Sequence, residues 1–472
     1  MIDIKILKIL FIIIKIMTFI ESLNRFNEFI DSLPTVIVFF AASSLLFPLA
    51  RFVFPHIKSV NVQASIHLIF GLILAFLLFE GDILYCLAMG VLTYIGIRFC
   101  TVALSNTISA ISLLIIYIIV MLRPINWALD MTGLTMVMFQ KAVSLSFNLA
   151  DGRERKSGKK LVRAAWDDLA VDECPSLFIY FAYVFTPYGS FSNPFLEYKP
   201  FIYILNSGNR KANNIHSEDH KFATFRYFGA FLWAGFAYIT MELISWDTTY
   251  NSNWYHSSPI VIRPFICAIL TTIQASRYFP AWWMVESGLY GFGLGHSGIG
   301  SIEFDHYSSL SMWDTLTSPT TNEWMRRWNH TTHLFWKNYL FTRLLHSGYG
   351  KGFANTMVFI CSMLWHGLKF NFLGALPEAF LCMRADDFWN KKFPQTKETP
   401  FYLRALHNLW VFTSMMYCTS CWYFPDFANF MYVRKSALFL PDIVAVLIII
   451  ICLILPKKKS KKTEKVDKKK NN

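Results

Sequence analysis

The chain has 472 residues, of which 54% are hydrophobic, 17% aromatic and only 16% charged, with a net charge of +13. Its mean hydropathy is +0.37. Soluble domains carry about 25% charged residues, and the apolar runs that recur along nearly the whole chain exclude a soluble protein of about two or three domains. The fold class expected is all-α: a polytopic membrane helix bundle.

Residues Ile2–Ile20 are apolar but interrupted by Lys5, Lys8 and Lys15. At about 100° per residue these lysines share one helical face, which suits an interfacial helix. No small-residue cleavage site marks the segment as a removed signal. A crossing needs about 20 mostly apolar residues. The clearest candidates are 33–54, 65–79, 83–100, 102–122, 227–245, 353–375, 406–425 and 436–455; weaker ones lie at 124–149, 174–187, 259–275, 278–295 and 332–345. The expectation is about ten or eleven transmembrane helices, with the remainder re-entrant or interfacial. Arg263, Pro264 and Pro280 fall within weak candidates. Polar backbone at membrane depth is tolerated only inside protein or along a cavity, so the bundle is expected to enclose a buried polar reaction chamber. Amphipathic helices lying on the membrane surface are the competing reading of each weak segment.

Between Asp151 and Asp172 the chain turns hydrophilic and carries Arg153, Arg155, Lys156, Lys159, Lys160 and Arg163. A polar loop is expected over 206–222. The run Gly291, Gly293, Gly295, Gly298 and Gly300 lacks the setting of a phosphate loop and reads as close helix packing or a connector. Residues 301–328 are polar yet aromatic, which predicts a segment docked near the interface with Trp313, Trp324 and Trp328 as belt residues. The chain divides as a single membrane domain, 1–455, and a basic tail, 456–472. Nine lysines fall between Lys457 and Lys470. After a terminal span such a run is a cytosolic anchor at an anionic lipid surface rather than a nucleic-acid site.

Among chemistry-bearing residues His366 is the most informative, because it lies inside the apolar run 353–375. An ionisable side chain at that depth is costly and functional by default, and a neutral imidazole there accepts a proton. A packing histidine bonded to a backbone carbonyl is the bland alternative. Upstream, Arg326-Arg327-Trp328-Asn329-His330-Thr331 contains a formal glycosylation sequon at Asn329. His330 and His333 are spaced i, i+3 without a carboxylate partner, so no metal site is expected. Cys418 and Cys421 form a lone CxxC, which argues against a zinc site. Cys361 stands about 140° from His366 on a helix, a poor arrangement for a covalent route.

Arg327-Trp328-Asn329, followed after 37 positions by His366 in Leu364-Trp365-His366-Gly367-Leu368, resembles the paired asparagine and histidine signatures of the membrane-bound O-acyltransferases. Lys141–Phe147 running into Asp151-Gly152, and Pro175-Ser176-Leu177 with its aromatic sequel, resemble stretches of the lysophospholipid branch. The similarity covers about 125–455. Trp328-Asn329 with Thr331 is most like the lysophosphatidylinositol acyltransferases. Tyr188-Gly189-Ser190-Phe191 and Lys369-Phe370-Asn371 depart from the family pattern.

The resemblance implies an acyl-CoA-dependent O-acyltransferase acting on a lysophospholipid, with His366 and Asn329 catalytic. Lysophosphatidylinositol is the first-choice acceptor, and choline, ethanolamine or serine head groups are the alternatives. Acyl-CoA is a co-substrate and no resident cofactor is expected. Arg326, Arg327, Lys337 and Trp365 are candidate substrate contacts, against a competing role for the cations in snorkelling to lipid head groups. A polytopic transporter is the non-enzymatic rival; it predicts paired charges and an inverted repeat, and neither is visible in the sequence. Lys468-Lys469-Lys470 before the final two residues resembles a dilysine retrieval signal read by a coat. That implies a multi-pass protein of the endoplasmic reticulum membrane with a cytosolic C-terminus.

Overall fold

A computed structural model describes residues 35–123, 130–210, 215–244, 246–299, 303–309, 312–396, 398–424 and 426–455. The N-terminal lysine-bearing segment and the basic tail lie outside these. All regular secondary structure among the described residues is helical. Hydropathy dictates this outcome, because in lipid only a helix satisfies every backbone group within its own segment.

The first half follows the apolar pattern closely. Val60–Phe79 begins at Ser59, whose hydroxyl accepts from the Val62 amide, and ends at a turn, Glu80–Asp82, where Glu80 takes φ 47°. Ile83–Phe99 continues the run, so Val60–Phe99 is 40 residues long with its break between the two predicted segments. Thr101 then caps Val102–Met121 through the Leu104 amide. Large apolar side chains along these helices, such as Ile69, Leu84 and Ile111, stand exposed. In water they would form an aggregation-prone surface; toward acyl chains they are in their proper solvent. The inner faces of the first two pack on the nine-residue helix Leu177–Phe185, which is too short to span and is buried from Tyr180 onward except for the half-buried Phe181. Gly71 permits that approach: a Cβ there would fall 1.7 Å from the Phe185 carbonyl oxygen.

Four described helical runs are long and apolar enough to cross a membrane: Thr35–His56, Val60–Phe99, Val102–Met121 and Ile260–Gly291. A fifth is possible if Phe427–Ser436 and Leu440–Ile454, bent by 61°, count as one span. Several expectations change here. Candidates 259–275 and 278–295 are one helical run, and Pro264 and Pro280 each sit in a first turn, where a missing amide costs no hydrogen bond. Arg263 faces no chamber; its guanidinium binds the carbonyls of His256, Ser258 and Ser436. Candidate 353–375 is two helices, Lys351–Trp365 and Phe370–Lys392, joined by a turn.

Charge pairs invisible in the sequence are present inside the bundle. Arg434 meets Glu378 at 2.8 Å, Arg226 meets Glu286 at 3.0 Å, and Arg343 grips Asp151 with both terminal nitrogens. Each joins distant segments. Burial of such charges is tolerable because each partner lies within contact of the other.

Candidate active site

The segment that carries Asn329 is fixed from both sides. Thr320 caps the helix Thr321–Arg327 by accepting from the Glu323 amide at 3.0 Å. Asp386, on Phe370–Lys392, accepts from both the amide and the hydroxyl of Thr321, at 2.8 and 3.0 Å. The helix stops at Trp328, and Asn329 adopts the left-handed conformation, φ 47° and ψ 58°, before a new helix, His330–Trp336. Asparagine tolerates this region better than most side chains. Its Oδ1 is buried without a hydrogen-bond partner among the described residues. A buried acceptor left open costs free energy, so a strained backbone and an unsatisfied carboxamide coincide at one position.

His366 occupies the turn after Lys351–Trp365 rather than the middle of a spanning helix. The turn forms because Gly367 takes φ 119°, which side-chain-bearing residues rarely adopt. His366 is half-buried, and its imidazole makes no side-chain hydrogen bond among the described residues. The residue before it is held tightly. The Trp365 indole donates to the Met136 carbonyl at 3.0 Å, and the buried Tyr117 hydroxyl donates to the Trp365 carbonyl.

Aromatic rings link the two signatures. Trp324 stacks on Trp328 with centroids 5.2 Å apart, Trp328 stacks on Trp422 at 6.3 Å, and Trp422 lies 4.9 Å from the His366 ring. A second contact joins Trp336 to Trp365 at 6.2 Å. Trp324 and Trp328 therefore face inward and are not belt residues; Trp313, 74% exposed, is the one of the three that faces outward. Arg434 braces the loop that presents Trp422, donating to the Ser420 hydroxyl and the Tyr417 carbonyl at 2.8 Å each.

The remaining predicted contacts divide. Trp365 is buried with its only polar atom engaged by Met136, so it positions the turn and offers substrate no donor. Arg326 and Arg327 both bind Glu323, at 2.6 and 2.9 Å, and Arg327 also meets Asp314 at 3.2 Å. Burial raises the Glu323 carboxyl, but the two guanidiniums override it and hold it below the usual range. Both arginines are thus internally paired. Lys337 is exposed and opens a π-turn, Lys337–Phe341. The sequon is closed: Thr331 is 1% exposed and its hydroxyl accepts from the Phe195 amide at 2.8 Å. An apolar cleft of about 660 Å³, lined by Phe265, Leu316, Pro319, Phe401, Leu409 and Phe412, includes none of the signature residues.

Two segments far apart in the chain thus bring an open carboxamide and an unbonded imidazole onto linked aromatic walls. The sequence profile of the membrane-bound O-acyltransferase family matches residues 91–425. The chain belongs to that family. Among membrane-bound O-acyltransferases it is 24% identical over 257 residues to membrane-bound glycerophospholipid O-acyltransferase 1 of Homo sapiens, covering 51% of this chain and 50% of the relative. It is 23% identical over 288 residues to the lysophospholipid acyltransferase of Schizosaccharomyces pombe, covering 58% and 54%. With lysophospholipid acyltransferase 6 of Drosophila melanogaster the identity is 22% over 259 residues, 51% and 35% of the two chains. The matched region spans about half the length of the first two relatives and about a third of the third. Within the family match lie both signatures, Trp422 and Tyr117. No local pattern singled out the latter two, since one is an ordinary aromatic near a helix end and the other a tyrosine inside an apolar run.

Proposed function

We propose that this protein transfers a fatty acyl chain from acyl-CoA to the free hydroxyl of a lysophospholipid, with lysophosphatidylinositol as first-choice acceptor. The observation that carries the reading is the convergence of Trp328-Asn329 and Trp365-His366 on one aromatic framework within the region matched by the family. The names of the relatives, glycerophospholipid and lysophospholipid acyltransferases, support the acceptor class.

In this mechanism the His366 imidazole takes the acceptor's hydroxyl proton as that oxygen attacks the thioester carbonyl carbon. The new C–O bond forms and the C–S bond breaks. CoA leaves as a thiolate and recovers the proton from the imidazolium, so no separate strong acid is required. Asn329 donates a hydrogen bond from its side-chain nitrogen to the developing oxyanion, or orients the imidazole. Holding both lipids in one dry pocket supplies much of the remaining rate through proximity. Lys337, exposed and about two helical turns beyond Asn329, is a phosphate contact for CoA. The protein works in the endoplasmic reticulum membrane, with its lysine tail cytosolic and recognised by a retrieval coat.

The test supplies purified protein with mixed lysophospholipids and mixed acyl-CoAs and identifies products by mass spectrometry. Inositol phospholipid as the main product supports the proposal. Choline, ethanolamine or serine products alone replace the head group, and no acylated lipid at all overturns the reading.

A further inference from the structure

We propose that His216, Glu218 and His296 bind one divalent cation of the zinc class, with Asp219 orienting His296 from beneath. None of these residues belongs to either acyltransferase signature. His216 and Glu218 stand at the start of the helix Ser217–Leu243. His296 closes the turn Leu294–His296 that follows Phe279–Gly291.

The donor set fits a transition metal. One ligand atom from each of the three residues lies within 4.8 Å of the other two. Glu218 Oε2 is 3.5 Å from His296 Nε2 and 3.8 Å from His216 Nδ1. Tetrahedral zinc with nitrogen and oxygen ligands at about 2.0–2.2 Å separates its donors by about 3.4 Å, so the Glu218 distances already fit, while the two imidazoles, 25° from parallel, must turn about their side-chain bonds for both in-plane lone pairs to meet one ion. The two imidazole rings stack at 4.0 Å.

The second observation lies under the cluster. Asp219 is fully buried, and its Oδ2 sits 3.2 Å from His296 Nδ1. A carboxylate on Nδ1 fixes the tautomer and turns Nε2 outward with its lone pair free, which is the usual second partner of a metal-bound histidine. Asp219 Oδ1 has no hydrogen-bond partner among the described residues. Gly295 makes room for that oxygen, since a Cβ there would fall 2.1 Å from it. A surface ion-pair cluster does not need a buried carboxylate with an open oxygen; a charged cation above the histidine gives that carboxylate its counter-charge. His216 at present also accepts weakly from the Glu218 amide at 3.4 Å, a long contact that metal ligation replaces. The bound cation would clip the start of one long helix to the end of its neighbour, with a fourth position open to water.

Full-length protein in detergent, stripped with chelator, is titrated with Zn2+ alone by calorimetry and by thermal unfolding. One saturable equivalent and a rise in Tm are expected. Asp219→Asn should weaken that equivalent about 10–100-fold, and His296→Ala should abolish it. His216 is exposed, so His216→Ala serves as the folded control should His296→Ala fail to fold, and it too should lose the equivalent. The proposal is overturned if no saturable equivalent appears, or if one appears with the same affinity in the folded histidine variants, which would assign it to other side chains.

Discussion

The helix Val102–Met121 and the segment between Ser309 and Ser436 are both rich in apolar residues, yet most of the hydroxyl bonds of the first stay within one helix while the second is tied together across the bundle. In Val102–Met121, Thr107, Ser109 and Ser112 each return a hydroxyl to the carbonyl four residues earlier. These three bonds are internal to an unbroken helix of 20 residues, from which Tyr117 reaches across to the Trp365 carbonyl. In the later segment the bonds run across the bundle: Thr321 to Asp386, Asn371 to the Phe424 carbonyl, Arg434 to Glu378. There Thr321–Arg327 and Lys351–Trp365 are followed within two residues by positions of positive φ, Asn329 and Gly367. Polar atoms that local helix geometry cannot serve are held there by distant partners or, as with Asn329 Oδ1, left open beside the aromatic framework. The difference teaches that in lipid a broken helix, more than a polar residue, signals chemistry.

The largest expected break in that comparison is His366→Ala. Acyl transfer should fall about 10²–10⁴-fold while the protein still inserts and elutes as a folded species; undiminished turnover by the mass-spectrometric assay removes the histidine from the mechanism. Asn329→Ala comes next, with a loss of about 10²–10³-fold in kcat. Because Thr331 is buried, its mobility on a glycan-sensitive gel should not change. A changed mobility would favour the sequon instead.

Stability probes sharpen the same contrast. Glu378→Ala leaves Arg434 buried without its carboxylate and should destabilise by about 3–5 kcal/mol, read as a lowered Tm in detergent. The pair replaced together by methionines should recover most of this, whereas an equal loss in the double variant would show that the two charges do not act as a pair. Tyr117→Phe removes one hydrogen bond to the carbonyl preceding His366. About 1 kcal/mol, or a fivefold drop in kcat with KM unchanged, is expected, and an equal effect on KM would mean that Tyr117 shapes binding instead. At the small end, Ser109→Ala in the unbroken region should shift stability by no more than about 0.5 kcal/mol, because its hydroxyl serves only its own helix.

By itself the sequence determined the membrane class, the helical content, the places of most helices and the two signatures. These follow from sums over short windows or from residues adjacent in the chain, and nothing elsewhere in the molecule alters them. Tertiary structure decided what depends on the register of one helix against another. It turned Trp324 and Trp328 inward, placed Trp422 on His366, paired Arg434 with Glu378, and stopped a predicted span at Gly367. It also set His296 beside His216 and Glu218. Hydropathy marks a face as apolar but carries no address for the helix that face will meet. Contacts between residues tens or hundreds of positions apart therefore left no local trace to read.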